Sequence, residues 1–396
     1  MKRSYMLYAT VLLFVIGLSS SNLVNYYHSK LTLFDEDKLA DNFRHMDRIF
    51  NSNPIAASTN PVPFSLSQKP IADMYRFKGK QYSVNEFLQR SETTGFLVIQ
   101  NDQIIHERYF KDYDAHDRVT SFSVAKSFIA TLVGIALDDG LIQSLSDPIT
   151  TYVPELKESG FHQVPIVDIL QMSSGIDFSE HYDDTSTDAY TIYDKMFIWL
   201  RPIDEVINDY GSTAAPGELF HYASINTQAL GMLIENVFGK KVHLVMQERL
   251  WKPMGATESA LWLTDQYETE VSLWGLNATL RDFARLGLLH LHEGRINNQQ
   301  IISKAWVQHA TKPNKPYLQA GHINQDWGYQ YHWWIPRESK GDYTAIGIWG
   351  QFIYVNPSAN LVIVKTSADA NFKPHEYEAI TAFRAIAKQL KASGSL

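Results

Sequence analysis

The sequence predicts an α+β protein whose antiparallel sheet takes strands from both ends of the chain, flanked by helices and interrupted by an inserted helical region. Three observations carry that prediction. β-rich runs gather between Gly95 and Phe110 and again between Thr344 and Ser367; the long helical patterns lie between those two groups; and a last helical pattern follows from about His375 to Ala392. A chain of 396 residues with 45% hydrophobic and 13% aromatic content has enough apolar material for a sizeable core.

The N-terminus reads as a targeting segment. Lys2 and Arg3 precede an apolar run from Met6 to Leu18, which exits into Ser19, Ser20, Ser21 and Asn22. Residues 1–28 are therefore expected to be an export signal or an N-terminal membrane anchor, with the rest of the chain outside, periplasmic or anchored facing outward. The run is short for a membrane span, and no charge interrupts the stretch between Arg3 and Lys30, so cleavage and retention both stay open. Residues 29–79 form an N-terminal extension broken by Asn53-Pro54, Asn60-Pro61 and Pro63, expected to pack over the body of the protein and to hold no chemistry. Residues 80–396 are read as the main domain. The net charge of −8, without a basic run, argues against nucleic acid as a partner. The absence of cysteine excludes disulfides, thiolate metal sites and a cysteine nucleophile.

The first ordered signal in the main domain is GFLVIQNDQIIHERYF, two β-rich runs around an Asn101-Asp102 turn, hence a hairpin. After it comes TSFSVAKSFIATLVGIALDDG, Thr120 to Gly140, apolar on nearly every face, with Thr120 or Ser121 placed to cap a helix and Gly140 to close it. Ser123 and Lys126 stand three apart at its start, on one side of the helix. At the edge of a dry core a lysine loses solvation of its charged form, its pKa falls, and it can act as base for a serine hydroxyl. The N–H of Ser123 also lies among the unpaired donors of the helix start.

Further on, the residues from Asp168 form a short apolar helix expected to end at Gly175. An acidic loop follows, with Asp177, Glu180, Asp183, Asp184 and Asp188. It is either a solvated charge run or a site for the ammonium group of a substrate. From Ala215 to Lys240 a Pro-Gly turn leads into an amphipathic helix, and Tyr222 stands at the turn before it, where a phenol is either core or free to enter a cleft. Helical patterns continue over Arg281 to Glu293 and Ser303 to Ala310. His290-x-His292 has no third ligand at a suggestive spacing and reads as helix surface, and neither a His-Glu-x-x-His nor a Gly-x-Ser-x-Gly motif occurs. Thr344 to Ser367 gives three β-runs, with Gly347 and Gly350 interrupting the first pair. Tyr329, Tyr331, Trp333, Trp334 and Trp349 read mostly as core, with some placed to line an apolar pocket.

Ser123-x-x-Lys126 on a buried helix, a tyrosine before a later helix and a glycine-bearing strand near the C-terminus together resemble the serine β-lactamase and penicillin-binding protein superfamily. Within it the chain is most similar to class C-like hydrolases, through LFHYASINTQALG, LWKPMGA and GQFIYVNP to 6-aminohexanoate-dimer hydrolases and related esterases. The resemblance spans about Gly95 to Leu390. It implies a β-lactamase/transpeptidase-like fold, Ser123 as nucleophile, Lys126 as its partner and Tyr222 as the residue that passes protons to the leaving group. It also implies that Gly350 allows close backbone approach, that Trp349 borders the substrate, and that the N–H of Gln351 joins that of Ser123 around the oxyanion. No cofactor or metal is implied. Two departures stand out: Ser224 occupies the third place of a motif commonly Tyr-x-Asn, with Asn226 two further on, and Ile348-Trp349-Gly350 lacks the usual strand cation, a charge that an arginine from elsewhere in the fold, such as Arg337, could supply. The expected activity is that of an exported serine hydrolase cleaving a small ester or amide through a Ser123 acyl-enzyme, with Asp188 of the acidic loop available to a substrate amine. The alternatives are a β-lactamase or D-alanyl-D-alanine carboxypeptidase, and a catalytically silent protein that binds a cell-wall fragment.

Overall fold

The computed structural model describes residues 24–393. A short strand, Ser65–Leu66 (β1), precedes the hairpin of Thr93–Gln100 (β2) and Gln103–Tyr109 (β3). Its two turn residues, Asn101 and Asp102, both have positive φ, as a two-residue turn matched to strand twist requires. The late strands are Trp327–Gln330 (β4), Trp333–Pro336 (β5), Tyr343–Gly347 (β6), Gln351–Asn356 (β7) and Leu361–Ser367 (β8). They join the hairpin in one sheet of order β4-β5-β6-β7-β8-β2-β3-β1, antiparallel except where β1 runs parallel to β3. The seam that unites the two chain ends is β8 on β2, from Leu361 opposite Gln100 to Ser367 opposite Thr93.

Period-two alternation gives this sheet two apolar faces. Leu97, Ile99, Ile353, Val355, Val362 and Val364 face the larger core, which also holds the helices Ala125–Asp138 (α1), Ile225–Phe238 (α2) and Leu280–Leu291 (α3). Phe96, Val98, Phe352, Tyr354, Leu361 and Ile363 face the C-terminal helix Phe372–Ser393 (α4) through Ile380, Phe383 and Ile386. α1 is buried along almost its whole length and is enclosed by protein on all sides. Gly134 is what lets Trp306 lie against it, since a Cβ there would fall 2.4 Å from the indole. A second sheet of four strands, Asn51–Ile55, Ala260–Thr264, Leu276–Thr279 and Arg118–Thr120 in that order, ties the N-terminal extension to the strand that leads into α1.

Some local expectations change. No side chain caps α1: Thr120 Oγ1 is buried without a partner, Ser121 Oγ donates to the Phe122 carbonyl at 3.1 Å, and a 3₁₀ turn over Phe122–Val124 carries the chain into the helix. The other end closes as expected, with Gly140 at positive φ and the Leu141 N–H bonded to the Ala136 carbonyl at 2.9 Å. The helix expected to reach Gly175 spans only Ile166–Leu170, because Met172 already takes a left-handed conformation. α4 begins earlier than expected, at Phe372, with Pro374 in its first turn, where a missing N–H is harmless. The β4–β5 hairpin is masked in the sequence because its left-handed turn residues are Tyr331 and His332, without a glycine or asparagine. No helix among the described residues is long and apolar enough to cross a membrane, and residues 1–23 of the expected export segment lie outside the described residues.

Candidate active site

The 3₁₀ turn before α1 presents Ser123 to a cleft, and one helical turn later Lys126 reaches back to it. Lys126 Nζ donates to Ser123 Oγ at 2.9 Å and to the Leu273 carbonyl at 2.8 Å. Only 2% of Lys126 is exposed, and this burial lowers its pKa to about 8, although the Glu180 charge works in the opposite direction. Such an amine reaches its neutral, proton-accepting form close to physiological pH, while its two acceptors hold it on the serine.

Tyr222 sits across the cleft, with the Lys126 ammonium 5.4 Å from its ring centroid. Trp334 stacks on it at 5.5 Å and Tyr329 meets it edge-on at 6.1 Å, so the aromatic strands β4 and β5 fix the ring. Burial, then the Glu180 charge, pushes the phenol well above the ordinary tyrosine range, against the pull of the Ser123 and Ser224 hydroxyls. Near neutral pH Tyr222 is therefore a proton donor. Ser224 has a different task from a substrate amide partner: its N–H and its hydroxyl both donate to Glu180, each at 2.6 Å. Tyr182 donates to the same carboxylate. Asn226 points into the core, with Nδ2 on the Met172 sulfur at 3.3 Å and Oδ1 unpartnered.

Two cavities meet at Ser123. The narrower, about 120 Å³, is walled by Leu33, Phe34, Met46, Phe178, Tyr193 and Trp349, among others. The wider, about 330 Å³, is walled by Tyr222, Trp327, Trp334, Ile346, Lys373 and Glu376. Glu180, Tyr182, Ile348 and Phe372 border both. The cleft thus has an apolar arm and an arm that adds the charged side chains of Lys373 and Glu376, with the serine at the junction.

The motif strand closes against the serine turn through Gly347, where a Cβ would stand 2.5 Å from the Ser121 carbonyl oxygen. Gly350 serves a different purpose: its φ of +88° completes the turn, and its open side faces Ser367 and Lys365, behind the cleft. Trp349 also holds a left-handed conformation, stacked on Phe34 at 5.5 Å and packed edge-on against Phe43 at 5.8 Å. Gln351 borders neither arm. It is 2% exposed, and its side chain donates to the Ser367 carbonyl at 2.7 Å and accepts from the Ser367 N–H at 3.2 Å. Ile348 is the turn residue that borders both arms.

Several other candidates lie elsewhere. Asp188 accepts from the N–H and hydroxyl of Ser179 at 2.9 and 2.7 Å, so it braces its own loop and borders neither arm. Glu180 is the acid of that loop that enters the cleft. Arg337 pairs with Asp326 at 3.2 Å and lies over Tyr377, outside both arms. The His290-x-His292 reading as helix surface is half corrected: His290 is buried, bonded to the Leu286 carbonyl and pushed down to about 4 by desolvation, whereas His292 pairs with Asp102 at 2.6 Å. The described residues hold no cluster suited to a metal ion. Of the aromatic group, Trp334 and Trp349 border the cleft, while Tyr329, Tyr331 and Trp333 are buried. The N-terminal extension, read as empty of chemistry, supplies Leu33, Phe34 and Met46 to the apolar arm.

Comparison with known proteins agrees with this geometry. A family model described as Beta-lactamase matches residues 84–387. The 6-aminohexanoate-dimer hydrolase of Paenarthrobacter ureafaciens is 28% identical over 326 residues, covering 80% of this chain and 82% of the relative. A solved structure from Bacillus anthracis, provisionally named a 6-aminohexanoate-dimer hydrolase, superposes with a TM-score of 0.83 at 25% identity, covering 91% of this chain and 96% of that one. A class C beta-lactamase superposes with a TM-score of 0.58 at 16% identity, covering 78% and 94%, a likeness that bears on the fold alone.

Proposed function

The chain belongs to the beta-lactamase family, as a serine hydrolase of amides or esters, and from that premise we propose that it cleaves a small amide or ester through an acyl-enzyme on Ser123. The observation that carries this reading is the Lys126 Nζ to Ser123 Oγ hydrogen bond of 2.9 Å at the junction of two cavity arms. Lys126 takes the hydroxyl proton as Oγ bonds to the substrate carbonyl carbon. The carbonyl oxygen gains the charge and is met by the N–H of Ser123 and by that of Ile348, which makes no hydrogen bond among the described residues and takes the place expected of Gln351. As the carbon–nitrogen or carbon–oxygen bond breaks, the leaving group takes a proton from Tyr222, which recovers one from Lys126. Water then adds to the ester carbonyl, gives up a proton by the same route, and frees the acid and Ser123.

The walls argue for a substrate without a carboxylate beside the scissile bond. Among the described residues, Lys373 is the one lysine or arginine bordering either arm, and Asp183 pairs with it at 3.2 Å. Burying a carboxylate against Ile348 and Trp349 without a cation costs on the order of several kcal/mol. The segment Lys2-Arg3 followed by Met6 to Leu18 supports export, with the cleft working outside the cytoplasm. Steady-state kinetics with short p-nitrophenyl esters and linear amides, set beside nitrocefin and a D-alanyl-D-alanine peptide, test the substrate reading. Esters and amides are expected to be turned over with the higher kcat/KM. Nitrocefin or the peptide matching them would make the protein a β-lactamase or carboxypeptidase. No turnover of any substrate would point to the silent binding protein.

A further inference from the structure

The cleft holds a carboxylate that the proposed reaction does not use. Glu180 borders both arms and collects three donors: the N–H and the hydroxyl of Ser224, each at 2.6 Å, and the Tyr182 hydroxyl. A carboxylate only accepts, so it takes the single hydrogen of the Ser224 hydroxyl and fixes that rotor. Ser224 is buried at the N-cap of α2, two residues after Tyr222, whose phenol lies within hydrogen-bonding reach of the Ser123 and Ser224 hydroxyls. A line of contacts thus runs from the Lys126 amine through Ser123, Tyr222 and Ser224 to Glu180. The other titratable groups around this line are neutral or act on it more weakly. His332, in the β4–β5 turn, is pushed down to about 3 by burial and then by the Lys126 charge, and so stays neutral. Tyr182 and Tyr329 are neutral phenols, each held well above its ordinary range. From α4, Glu376 acts on Tyr222 less than Glu180 does, and Lys373 is paired with Asp183 at 3.2 Å.

Resting on the Ser123 hydrolase reading, we infer that Glu180 is a positioning residue of the reaction: it pins the Ser224 hydroxyl beside the Tyr222 phenol, and its charge stabilises the ammonium that forms when Lys126 takes the serine proton. The same charge opposes a phenolate at Tyr222. An anion favours a nearby ammonium and disfavours a nearby phenolate, so one carboxylate keeps Lys126 as the base and Tyr222 as the acid. Burial is the larger influence on both groups; Glu180 works against it at Lys126 and with it at Tyr222. Without the Glu180 charge, Lys126 would reach its neutral form at a lower pH and would be a weaker base for the serine. The Ser224 hydroxyl has a separate part: held by Glu180, it orients the phenol that protonates the leaving group.

The test uses the full chain with 4-nitrophenyl hexanoate, whose leaving group departs as an anion, and N-hexyl hexanamide, whose leaving nitrogen must take a proton. In the wild type, kcat/KM for the ester rises with pH as Lys126 loses its proton. Glu180→Gln keeps an acceptor for Ser224 and removes the charge; it should move that rise at least about half a pH unit lower and reduce the plateau about tenfold. Ser224→Ala keeps the charge and removes the hydroxyl. Its rise should stay within about 0.2 pH unit of the wild type, while kcat/KM falls about tenfold or more for the amide and about threefold or less for the ester. A carboxylate that merely braced its loop would lower the plateau in both variants and move the rise in neither. An unmoved rise in Glu180→Gln therefore overturns the inference, and so does an equal move in Ser224→Ala. The same rise is read independently in the rate at which a fluorophosphonate labels Ser123, with thermal melts taken on each variant. A wild type that neither turns over the two substrates nor takes the label overturns the hydrolase reading and the inference with it. Labelling with one pH dependence in both the wild type and Glu180→Gln overturns the inference alone.

Discussion

The described residues contain two buried lysine–serine pairs, and they differ in what lies beside them. Lys126 and Ser123 occupy the start of α1; Lys365 and Ser367 lie on β8, where Lys365 Nζ donates to Ser367 Oγ. Both lysines are almost wholly buried, and desolvation lowers both, Lys126 to about 8 and Lys365 further, to about 7. Judged by titration alone, Lys365 is at least as available as Lys126 in its neutral, proton-accepting form near pH 7. Yet it packs behind the turn at Gly350, near Phe87 and the Ser91 carbonyl, and borders neither arm of the cleft. A depressed lysine pKa therefore records burial; chemistry also needs a serine that a substrate carbonyl can reach.

That contrast can be broken at either pair. Ser123→Ala and Lys126→Ala should each lower kcat/KM for a neutral ester by about 10³-fold or more with the thermal melt preserved, as expected of groups that act together. Near-normal turnover in Lys126→Ala would remove the distinction between the two lysines. In the wild type, kcat/KM for that ester should rise as pH increases and level off above about 8, because the neutral Lys126 amine is the acting form. Tyr222→Phe should slow turnover by about 10²-fold if the phenol carries protons, and hardly at all if stacking on Trp334 is its whole role. Phe34→Ala, which opens the apolar arm and frees one face of Trp349, should raise KM for a hexanoyl ester about tenfold, with a smaller effect on an acetyl ester.

The smallest effect belongs to the sealed pair. Lys365→Met should change kcat/KM by no more than about threefold, since it removes a charge that no substrate meets. Its effect should appear in stability. The Lys365 pKa is depressed in the folded state, so the unfolded chain binds more protons between about pH 7 and the ordinary lysine value, and the wild type gains stability as pH rises through that window. The melting temperature of wild type relative to Lys365→Met should therefore climb from pH 7 to pH 10. A flat difference would mean that Lys365 is solvated in the folded protein.

The sheet built from both chain ends, the helix α1 and the grouping of Ser123, Lys126 and Tyr222 at one cleft were legible because the elements that carry them show in local pattern. The hairpin at Asn101-Asp102, the apolar run after Ser123 and the turn before α2 all show within a few residues of sequence. The cleft walls were not legible, because they are assembled from distant pieces. Phe34 becomes a wall only when Asn51–Ile55 pairs with Ala260–Thr264 and draws the extension against Trp349. Glu180 and Asp188 look alike in an acidic loop, and only the fold decides that Ser179 takes one and Ser224 the other. Gly347 and Gly350 likewise share one motif, but the first is required by a carbonyl from the serine turn and the second by its own φ. Counting from the last glycine pointed to Gln351, whereas Ile348 is the turn residue that borders both arms of the cleft.

The central claim, that one of the two lysine–serine pairs makes a nucleophile and the other does not, is tested most directly by intact-mass spectrometry after treatment with a fluorophosphonate. The wild type and Ser367→Ala should each gain the mass of a single phosphonyl group, located by peptide mapping to Ser123, and Ser123→Ala should gain none. An adduct that persists in Ser123→Ala, or one that maps to Ser367, would contradict the account.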